Sequence, residues 1–177
     1  MSREQSPPAS DGVSPASPQW GLYEFDQFDV AQLYAVLTAR VDVFVVEQDC
    51  PYQDLDGLDD AGFHLVAWHG RDRIAAYARI LPPGTRFRQP SIGRVLTAMD
   101  CRRSGLGREL MRRAIGVVNS RFPGSPVRIS AQCHLQRFYG DLGFVTDSAP
   151  YEEDGIPHVE MELPAGVAGS LVDQTGG

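Results

Sequence analysis

Apolar residues along the chain follow two periods, which predict helices and strands in mixed order. Residues 30–47 carry apolar side chains at the three-to-four spacing of a helix, and Asp29 is placed to cap its first turn. Two alternating runs, 63–67 and 74–80, flank Gly70 and predict an antiparallel hairpin. The apolar positions of the first helix are Val30, Leu33, Leu37, Val41, Phe44 and Val45.

The second half of the chain continues the same alternation of strands and helices. A strand is predicted at 91–99, and a basic turn leads from it into a helix over 105–121. A strand at 127–131, a short helix at 135–142 and a last strand at 159–163 follow. The fold class is therefore α/β with mixed α+β order, and no internal repeat is visible.

Length and composition indicate one domain between two tails. Residues 1–18 are rich in Ser and Pro, and residues 164–177 are rich in Gly, so both ends are expected to be disordered. Residues 19–163 form the expected single domain, which suits a chain of 177 residues with 42% hydrophobic content. No signal peptide or apolar run of roughly 18 residues is present, and three dispersed cysteines fit a reducing compartment. We therefore expect a cytoplasmic protein with no membrane partner.

The charges are unevenly distributed along the chain. All 16 positive residues are arginines, and 14 of them stand against three acids between Arg71 and Gly140, a local charge of +11. The remainder carries −18, which gives the net charge of −7. This pattern fits an anionic ligand on one side and a cationic ligand on the other, or simply solvated side chains. Arg71, Arg73, Arg86 and Arg88 fall in or near predicted turns and are expected to be ordinary surface residues.

The most informative motif joins the strand at 91–99 to the helix at 105–121. Arg102, Gly105 and Gly107 form an R-x-x-G-x-G arrangement where the helix begins. Free amides and the positive end of the dipole at a helix start bind phosphate oxygens, and glycines allow a pyrophosphate to approach the backbone. The motif lacks the Gly-Lys-Ser/Thr of a P-loop, and Leu110 stands at the third glycine position of a dinucleotide fingerprint. A plain structural connection of the same kind is the alternative.

The four histidines do not form a metal-binding pattern. They fall in separate segments without short ligand spacing, so no metal is expected. They are His64, His69, His134 and His158.

Other segments resemble a known family. The run Phe138-Tyr139-Gly-Asp-Leu-Gly143-Phe144 resembles the second signature of the GNAT superfamily of acyl-CoA N-acyltransferases, and the R-x-x-G-x-G turn precedes it in the family's order and spacing. Segments 43–48, 50–52, 131–136 and 153–161 resemble the ElaA-like branch. The resemblance covers about 20–163. It implies a GNAT fold: a splayed, mostly antiparallel sheet of six to seven strands flanked by about four helices.

The resemblance also implies how acetyl-CoA would be held. Val95, Leu96 and Thr97 would pair through their backbone with the pantetheine arm. Three arginines suit the pyrophosphate because guanidinium groups contact phosphate oxygens at two points. Gln136 and Tyr139 would face the cofactor from the other side. The residues implied around the pyrophosphate are Arg102, Arg103, Ser104, Gly105, Leu106, Gly107 and Arg108.

The family reaction is direct attack of an amine on the thioester. An alkylamine with a pKa near 10.4 is mostly protonated at neutral pH, so a base must take its proton. Glu47 is the first choice for a base or substrate-orienting group, and His134 and His158 are further catalytic candidates. Tyr139 would protonate the leaving thiolate, and a strand amide near Leu96 would donate to the oxyanion.

Further acidic and histidine residues are also candidate bases, among them Asp54, Asp56, Glu160 and His64. An acyl-enzyme on Cys133 is not expected, because nothing signals an activated thiolate. The sequence departs from the family's pattern at two positions: Gln132 stands where many members have Asn, and Met99 stands where a proline is common.

The predicted function is transfer of an acetyl group from acetyl-CoA to a primary amine of a small molecule or peptide in a ternary complex. The acidic stretch 49–60 favours a cationic acceptor, and a solvated loop is the alternative. A non-catalytic acyl-CoA-binding regulatory module on the same fold is the competing hypothesis. The net charge of −7 argues against nucleic acid as a partner. Related folds often pair, so a homodimer is a further expectation.

Overall fold

The chain forms one mixed sheet with helices on both faces. The computed structural model describes residues 17–166, so the predicted tails at 1–18 and 164–177 lie almost entirely outside the described residues. The strands are β1 (Gln19–Glu24), β2 (Phe63–His69), β3 (Arg73–Leu81), β4 (Ser91–Thr97), β5 (Val127–Gln132), β6 (Val145–Thr146), β7 (Tyr151–Glu153) and β8 (Ile156–Leu163). The helices are α1 (Val30–Val41), α2 (Leu106–Arg121) and α3 (Gln136–Gly140), with short helical turns at Phe25–Gln27, Asp42–Glu47, Met99–Cys101 and Cys133–Leu135.

The sheet has the order β1-β2-β3-β4-β5-β8-β6, and β7 also pairs with β8. Every pairing is antiparallel except the one between β4 and β5, which is parallel. The predicted mixed fold with a splayed, mostly antiparallel sheet is confirmed. The described part of the chain contains eight strands and three α-helices, against six to seven strands and about four helices expected. The apolar pattern did not indicate β1, β6 and β7.

Helix α1 begins where the sequence predicts. The Asp29 carboxylate accepts the N–H of Gln32 at 2.8 Å, and the Gln32 side chain accepts the N–H of Asp29 at 3.2 Å. This reciprocal capping box satisfies two of the free donors at the helix start. After Val41 the backbone continues as a wider π-helical turn over Asp42–Glu47, so the predicted helix of 30–47 is helical throughout but changes its period.

The inward face of α1 differs from the predicted apolar face. Val30 is 87% exposed, whereas Val36 and Arg40 are buried. Val36 packs in a cluster with Trp68 and Tyr77 on one side of the sheet. The buried face of the helix includes Arg40, which apolar spacing does not predict. Its burial is possible because Arg40 bonds to carboxylates inside the fold.

The larger core lies on the opposite face of the sheet. Helix α2 buries Leu110, Met111 and Ile115 against the strands, together with Phe144 after α3. Strand β3 lies between the two layers, and its residues from Ile74 to Leu81 are all buried. Among the described residues, no helix is both long enough and apolar enough to cross a membrane.

Candidate active site

A cleft opens where β4 and β5 separate. Ser91 of β4 pairs with Arg128 of β5, and in the described part of the chain no further bridge joins these two strands. On its other edge β4 continues to pair with β3 through Leu96 and Thr97. The edge of β4 that faces β5 therefore leaves backbone polar groups free for a ligand.

A β-bulge shapes β4 beside this cleft. Arg94 and Val95 together stand opposite Ala78, and Arg94 has a left-handed φ of 51°. The Arg94 side chain holds the bulge to the loop before β2: its Nε lies 2.7 Å from Asp54 Oδ1, and its Nη2 lies 3.2 Å from Asp56 Oδ2. Bulges redirect side chains and end pairing near active sites. After this bulge, Val95, Leu96 and Thr97 have no strand partner among the described residues on the β5-facing edge, although the Thr97 carbonyl accepts a hydrogen bond from Arg102.

The cleft contains a cavity of about 150 Å³. Its walls include Val95 from β4, Gln132 from β5, Tyr139 from α3 and His158 from β8. Polar side chains such as Arg94, Ser130 and Glu153 also line it, so the cavity can accept a polar ligand.

Tyr139 lies at the inner wall of the cavity. The residue is 7% exposed, and its hydroxyl makes no hydrogen bond to another described residue. Burial raises the pKa of Tyr139 to about 12, so the phenol carries its proton at neutral pH. Tyr139 and Val95 of β4 line the same cavity, and the hydroxyl is available to donate a proton.

His158 has one ring nitrogen fixed by a backbone carbonyl. Its Nδ1–H donates to the carbonyl of Ile156 at 2.8 Å, which leaves Nε2 as the acceptor of a neutral imidazole. The ring stacks on Tyr151 with centroids 6.2 Å apart. A histidine fixed in this tautomer beside Tyr139 has the form of a general base.

The sequence analysis did not predict the hydrogen-bonded polar side chains that line the cavity beside His158. Ser130 Oγ donates to the Glu153 carboxylate at 2.8 Å and lies 2.6 Å from the Tyr151 hydroxyl. Arg86 Nη2 donates to the same carboxylate at 2.7 Å. Burial alone would raise the pKa of Glu153, but the hydrogen bond from Ser130 and the charge of Arg86 outweigh burial and lower it. Arg86 therefore belongs to the cavity wall and is not the ordinary surface residue expected.

A sequence signal for this wall was present. Asp154 and Gly155 separate β7 from β8, and both have positive φ, 50° and 79°. Asp-Gly between two strands is a strong signal for a tight hairpin. Recognition of that turn would have placed Glu153 and His158 on adjacent strands.

The predicted anion site lies at the start of α2. Gly105 has a φ of 88° at the N-cap, a conformation that favours glycine. The N–H groups of Arg103, Ser104, Gly105 and Gly107 have no acceptor among the described residues. A Cβ on Gly107 would approach Thr97 Oγ1 to 3.4 Å, so the helix start lies close against β4. These free amides and the adjacent open strand edge fit an anionic group attached to an extended chain, as in CoA.

Two of the predicted site residues bind each other instead. Arg102 donates through Nη1 and Nη2 to the two carboxylate oxygens of Glu47, both at 2.7 Å, and through Nε to the carbonyl of Thr97 at 3.1 Å. The hydrogen bond from Arg102 lowers the pKa of Glu47. Glu47 lines a groove on the α1 side and not the cavity with Tyr139. A carboxylate of lowered pKa outside the cavity is a poor base, so this geometry argues against the predicted role of Glu47.

Three other residues expected around the pyrophosphate, Arg108, Leu106 and Ser104, already make contacts within the protein. Arg108 pairs with Asp141 at 2.7 Å and lies over the Phe138 ring. The buried Leu106 packs in the core and directs its N–H to Ser104 Oγ at 3.4 Å. Ser104 itself donates to the carbonyl of Cys101 at 2.7 Å, so it stabilises the turn.

Three other candidate residues, Gln136, His134 and His64, do not line the cavity. Gln136 donates to Thr146 Oγ1 at 3.2 Å and is not among the cavity residues. His134 is exposed on the turn before α3 and does not line the cavity, which removes the reason for a catalytic role. His64 is buried between the hydroxyl of Tyr77 and the carbonyl of Asp59, and burial lowers its pKa.

The acidic loop is neither solvated nor directed at an acceptor as a whole. Asp54 and Asp59 are buried, and both accept hydrogen bonds from Arg40. Arg79 binds Asp59 at 2.8 Å and Asp56 at 2.6 Å. These carboxylates neutralise internal arginines, so both interpretations of the stretch 49–60 are wrong for them. Within residues 17–166, no group of three His, Cys, Asp or Glu side chains is placed to hold a metal ion.

A sheet that splits beside a glycine-containing helix start, with a tyrosine in the split, is the arrangement expected of an acyltransferase that uses a CoA thioester. The family comparison agrees, because the model described as "Acetyltransferase (GNAT) domain" matches residues 32–165. The chain belongs to the GNAT acetyltransferase family, and within it the protein is ElaA-like. It is an acyltransferase by family and fold.

Relatives in sequence and structure have consistent names. Protein ElaA of Escherichia coli is 42% identical over 145 residues, which cover 81% of this chain and 94% of that protein. A crystal structure of an acyl-CoA N-acyltransferase from Pseudomonas aeruginosa has a TM-score of 0.78 at 42% identity and covers 82% of this chain and 99% of that chain. The crystal structure of Escherichia coli ElaA has a TM-score of 0.77 at 40% identity, covering 82% and 98%.

Proposed function

We propose that the protein transfers an acetyl group from acetyl-CoA to a primary amine by direct attack within a ternary complex. The observation that carries the proposal is the cavity at the split between β4 and β5, which places Tyr139 and His158 beside the free edge of β4. The match to an acetyltransferase domain model supports acetyl as the transferred group. The thioester supplies an activated carbonyl carbon and a thiolate leaving group.

The cofactor would lie along β4 and reach the start of α2. Backbone groups of Val95, Leu96 and Thr97 would bind the pantetheine arm. The free amides of Gly105 and Gly107 would bind the pyrophosphate, because a helix start favours anions. Arg103 would add a positive charge there, and Arg102 and Arg108 would do so after exchanging their carboxylate partners.

Two side chains would move the protons. His158 Nε2 would take the proton from the attacking amine, since Nδ1 is already committed to the Ile156 carbonyl. A backbone amide near Leu96 would donate to the developing oxyanion. Tyr139 would give its proton to the departing thiolate, because its buried phenol, with a pKa of about 12, is protonated at neutral pH.

Substitution of Tyr139 tests this assignment. Tyr139→Phe keeps the ring and removes the proton, so we expect kcat for thiol release to fall by roughly 10²–10⁴-fold. Calorimetry should show unchanged binding of acetyl-CoA. Unchanged thiol release by Tyr139→Phe would remove Tyr139 as the acid. Tight acetyl-CoA binding by the wild-type protein with no transfer to any amine would favour the regulatory module.

A further inference from the structure

Glu153 is an ionised carboxylate on the wall of the cavity. Ser130 donates to its Oε2 atom at 2.8 Å, and Arg86 donates to its Oε1 atom at 2.7 Å. The side chains of Arg86 and Glu153 are 31% and 34% exposed, so solvent reaches both partners. A pair of this kind contributes about 0–1 kcal/mol, and replacing Arg86 with another cation would cost little. Glu153 is therefore available to a positively charged ligand.

The position of Glu153 relative to His158 follows from the hairpin register. Tyr151 pairs directly with His158, and Glu153 pairs with Ile156. These four side chains share one face, and Glu153 and His158 are diagonal neighbours. Diagonal neighbours on adjacent strands lie roughly 7–8 Å apart. One extended small molecule can reach both residues.

The reacting amine is not the partner that Glu153 suits. A carboxylate stabilises an ammonium ion and would oppose the loss of the proton that attack requires. A second cationic group, several carbon atoms from the reacting nitrogen, has no such conflict. The other guanidinium groups of the cavity, Arg79 and Arg94, are held by Asp56 and Asp54, so they do not neutralise Glu153.

We propose that Glu153 binds a second cationic group of the acceptor, so that the enzyme selects diamines and larger polycationic amines over monoamines. The inference rests on the proposed acetyl transfer, because it names the substrate class of the same cavity. It makes Glu153 a specificity residue, whereas His158 and Tyr139 would handle protons. Ser130 orients the carboxylate, and Arg86 occupies the cation position when no acceptor is bound.

The test compares two amines of equal chain length, diaminobutane and butylamine. The wild-type protein should prefer diaminobutane in kcat/KM by roughly tenfold or more, the effect of one charge-assisted hydrogen bond. Glu153→Gln should lose that preference through a higher KM for the diamine, with the KM for acetyl-CoA unchanged. Glu152→Gln is the matched control, since the neighbouring Glu152 is exposed and pairs with Pro157. Arg86→Gln should keep or increase the preference.

Calorimetry with CoA present separates this inference from the proposed function. Diaminobutane should bind the wild-type protein more tightly than butylamine does, and Glu153→Gln should abolish the difference. Such binding without thiol release would contradict acetyl transfer and leave the cation site standing. Thiol release at equal efficiency with both amines would overturn the cation site and support acetyl transfer. Loss of the preference in Arg86→Gln with its retention in Glu153→Gln would also overturn it.

Discussion

Of two candidate histidines, His158 lines the cavity and His134 lies outside it, which separates a proposed base from a residue without a catalytic role. His158 lines the cavity with Nδ1 fixed by a carbonyl, whereas His134 is exposed outside it. We expect His158→Gln to reduce kcat by roughly 10²–10⁴-fold, because glutamine accepts a hydrogen bond but takes no proton. His134→Gln should retain wild-type kcat in the same thiol-release assay. The reverse pattern would contradict the assignment of the base.

The ion pair between Glu47 and Arg102 gives a second prediction at this scale. Both side chains are about one-third exposed, and Arg102 lies at the proposed pyrophosphate turn. Glu47→Gln should release the guanidinium for the phosphates and lower the Kd for CoA severalfold, an effect of the size expected for one charge. Arg102→Gln should raise that Kd. Weaker CoA binding in Glu47→Gln would show that the pair itself builds the cofactor site.

The sequence indicates candidate site residues more readily than it shows which residues contact each other. Local sequence motifs identified the glycine turn and Tyr139, and both lie at the proposed site. Glu47 and the acidic loop could not be assigned in this way, because a carboxylate in a sequence does not show whether an arginine neutralises it. Arg102 lies 55 positions from Glu47, and only the folded chain brings them together.

At the scale of elements, long periodic segments were predicted and short ones were missed. The strands β2, β3, β4, β5 and β8 and the helices α1, α2 and α3 all correspond to predicted segments, with ends that shift by a few residues. Strand β7 has three residues, too few for a hydrophobic period, yet it carries Glu153. The wide turn after α1 was missed because π-helical geometry leaves no distinct apolar pattern. Of these missed elements, β7 and the turn after α1 contribute Glu153 and Phe44 to the cavity lining.

The loop from Pro51 to Gly62 lacks regular secondary structure and is held by buried charges, which predicts sensitivity to acid. Burial alone would raise the pKa of Asp59, but hydrogen bonds and charges from Arg40 and Arg79 outweigh burial and lower it. An aspartate with a lowered folded-state pKa stabilises the fold above its unfolded pKa of about 3.9, and that stabilisation is lost as the pH falls further. Urea unfolding should therefore show a falling free energy of unfolding below about pH 4.

A pair of variants separates this network from general acid effects. Asp59→Asn should lose about 3–5 kcal/mol at neutral pH, because two buried guanidinium groups lose a partner. The exposed Asp60 makes no ion pair with a described residue, so Asp60→Asn should unfold like the wild-type protein. Equal losses in both variants would show that the network does not hold the loop.

On the scale of the whole molecule, the unevenly distributed charges form ion pairs between distant parts of the chain. Arginines from the basic middle meet acids from the flanks at Arg86 with Glu153, Arg94 with Asp54, and Arg128 with Glu160 and Glu162. The strands of the middle lie at the centre of the sheet, and the acidic segments pack around them. Much of the expected polarity between two ligand surfaces is therefore internal neutralisation. The amides at the start of α2 are available to an anionic ligand, and the partly exposed pair of Arg86 and Glu153 is the one that we propose a cationic ligand exchanges into.

The central claim is that the split between β4 and β5 holds a CoA thioester for direct transfer to an amine. The most direct measurement incubates the protein with acetyl-CoA and diaminobutane and follows free thiol, amide product and intact protein mass together. The account predicts one amide for each thiol released and no acetylated protein during turnover. An acetyl adduct on Cys133 that forms and decays with turnover would contradict direct attack. Tight acetyl-CoA binding with no amide from any amine would contradict acyl transfer itself.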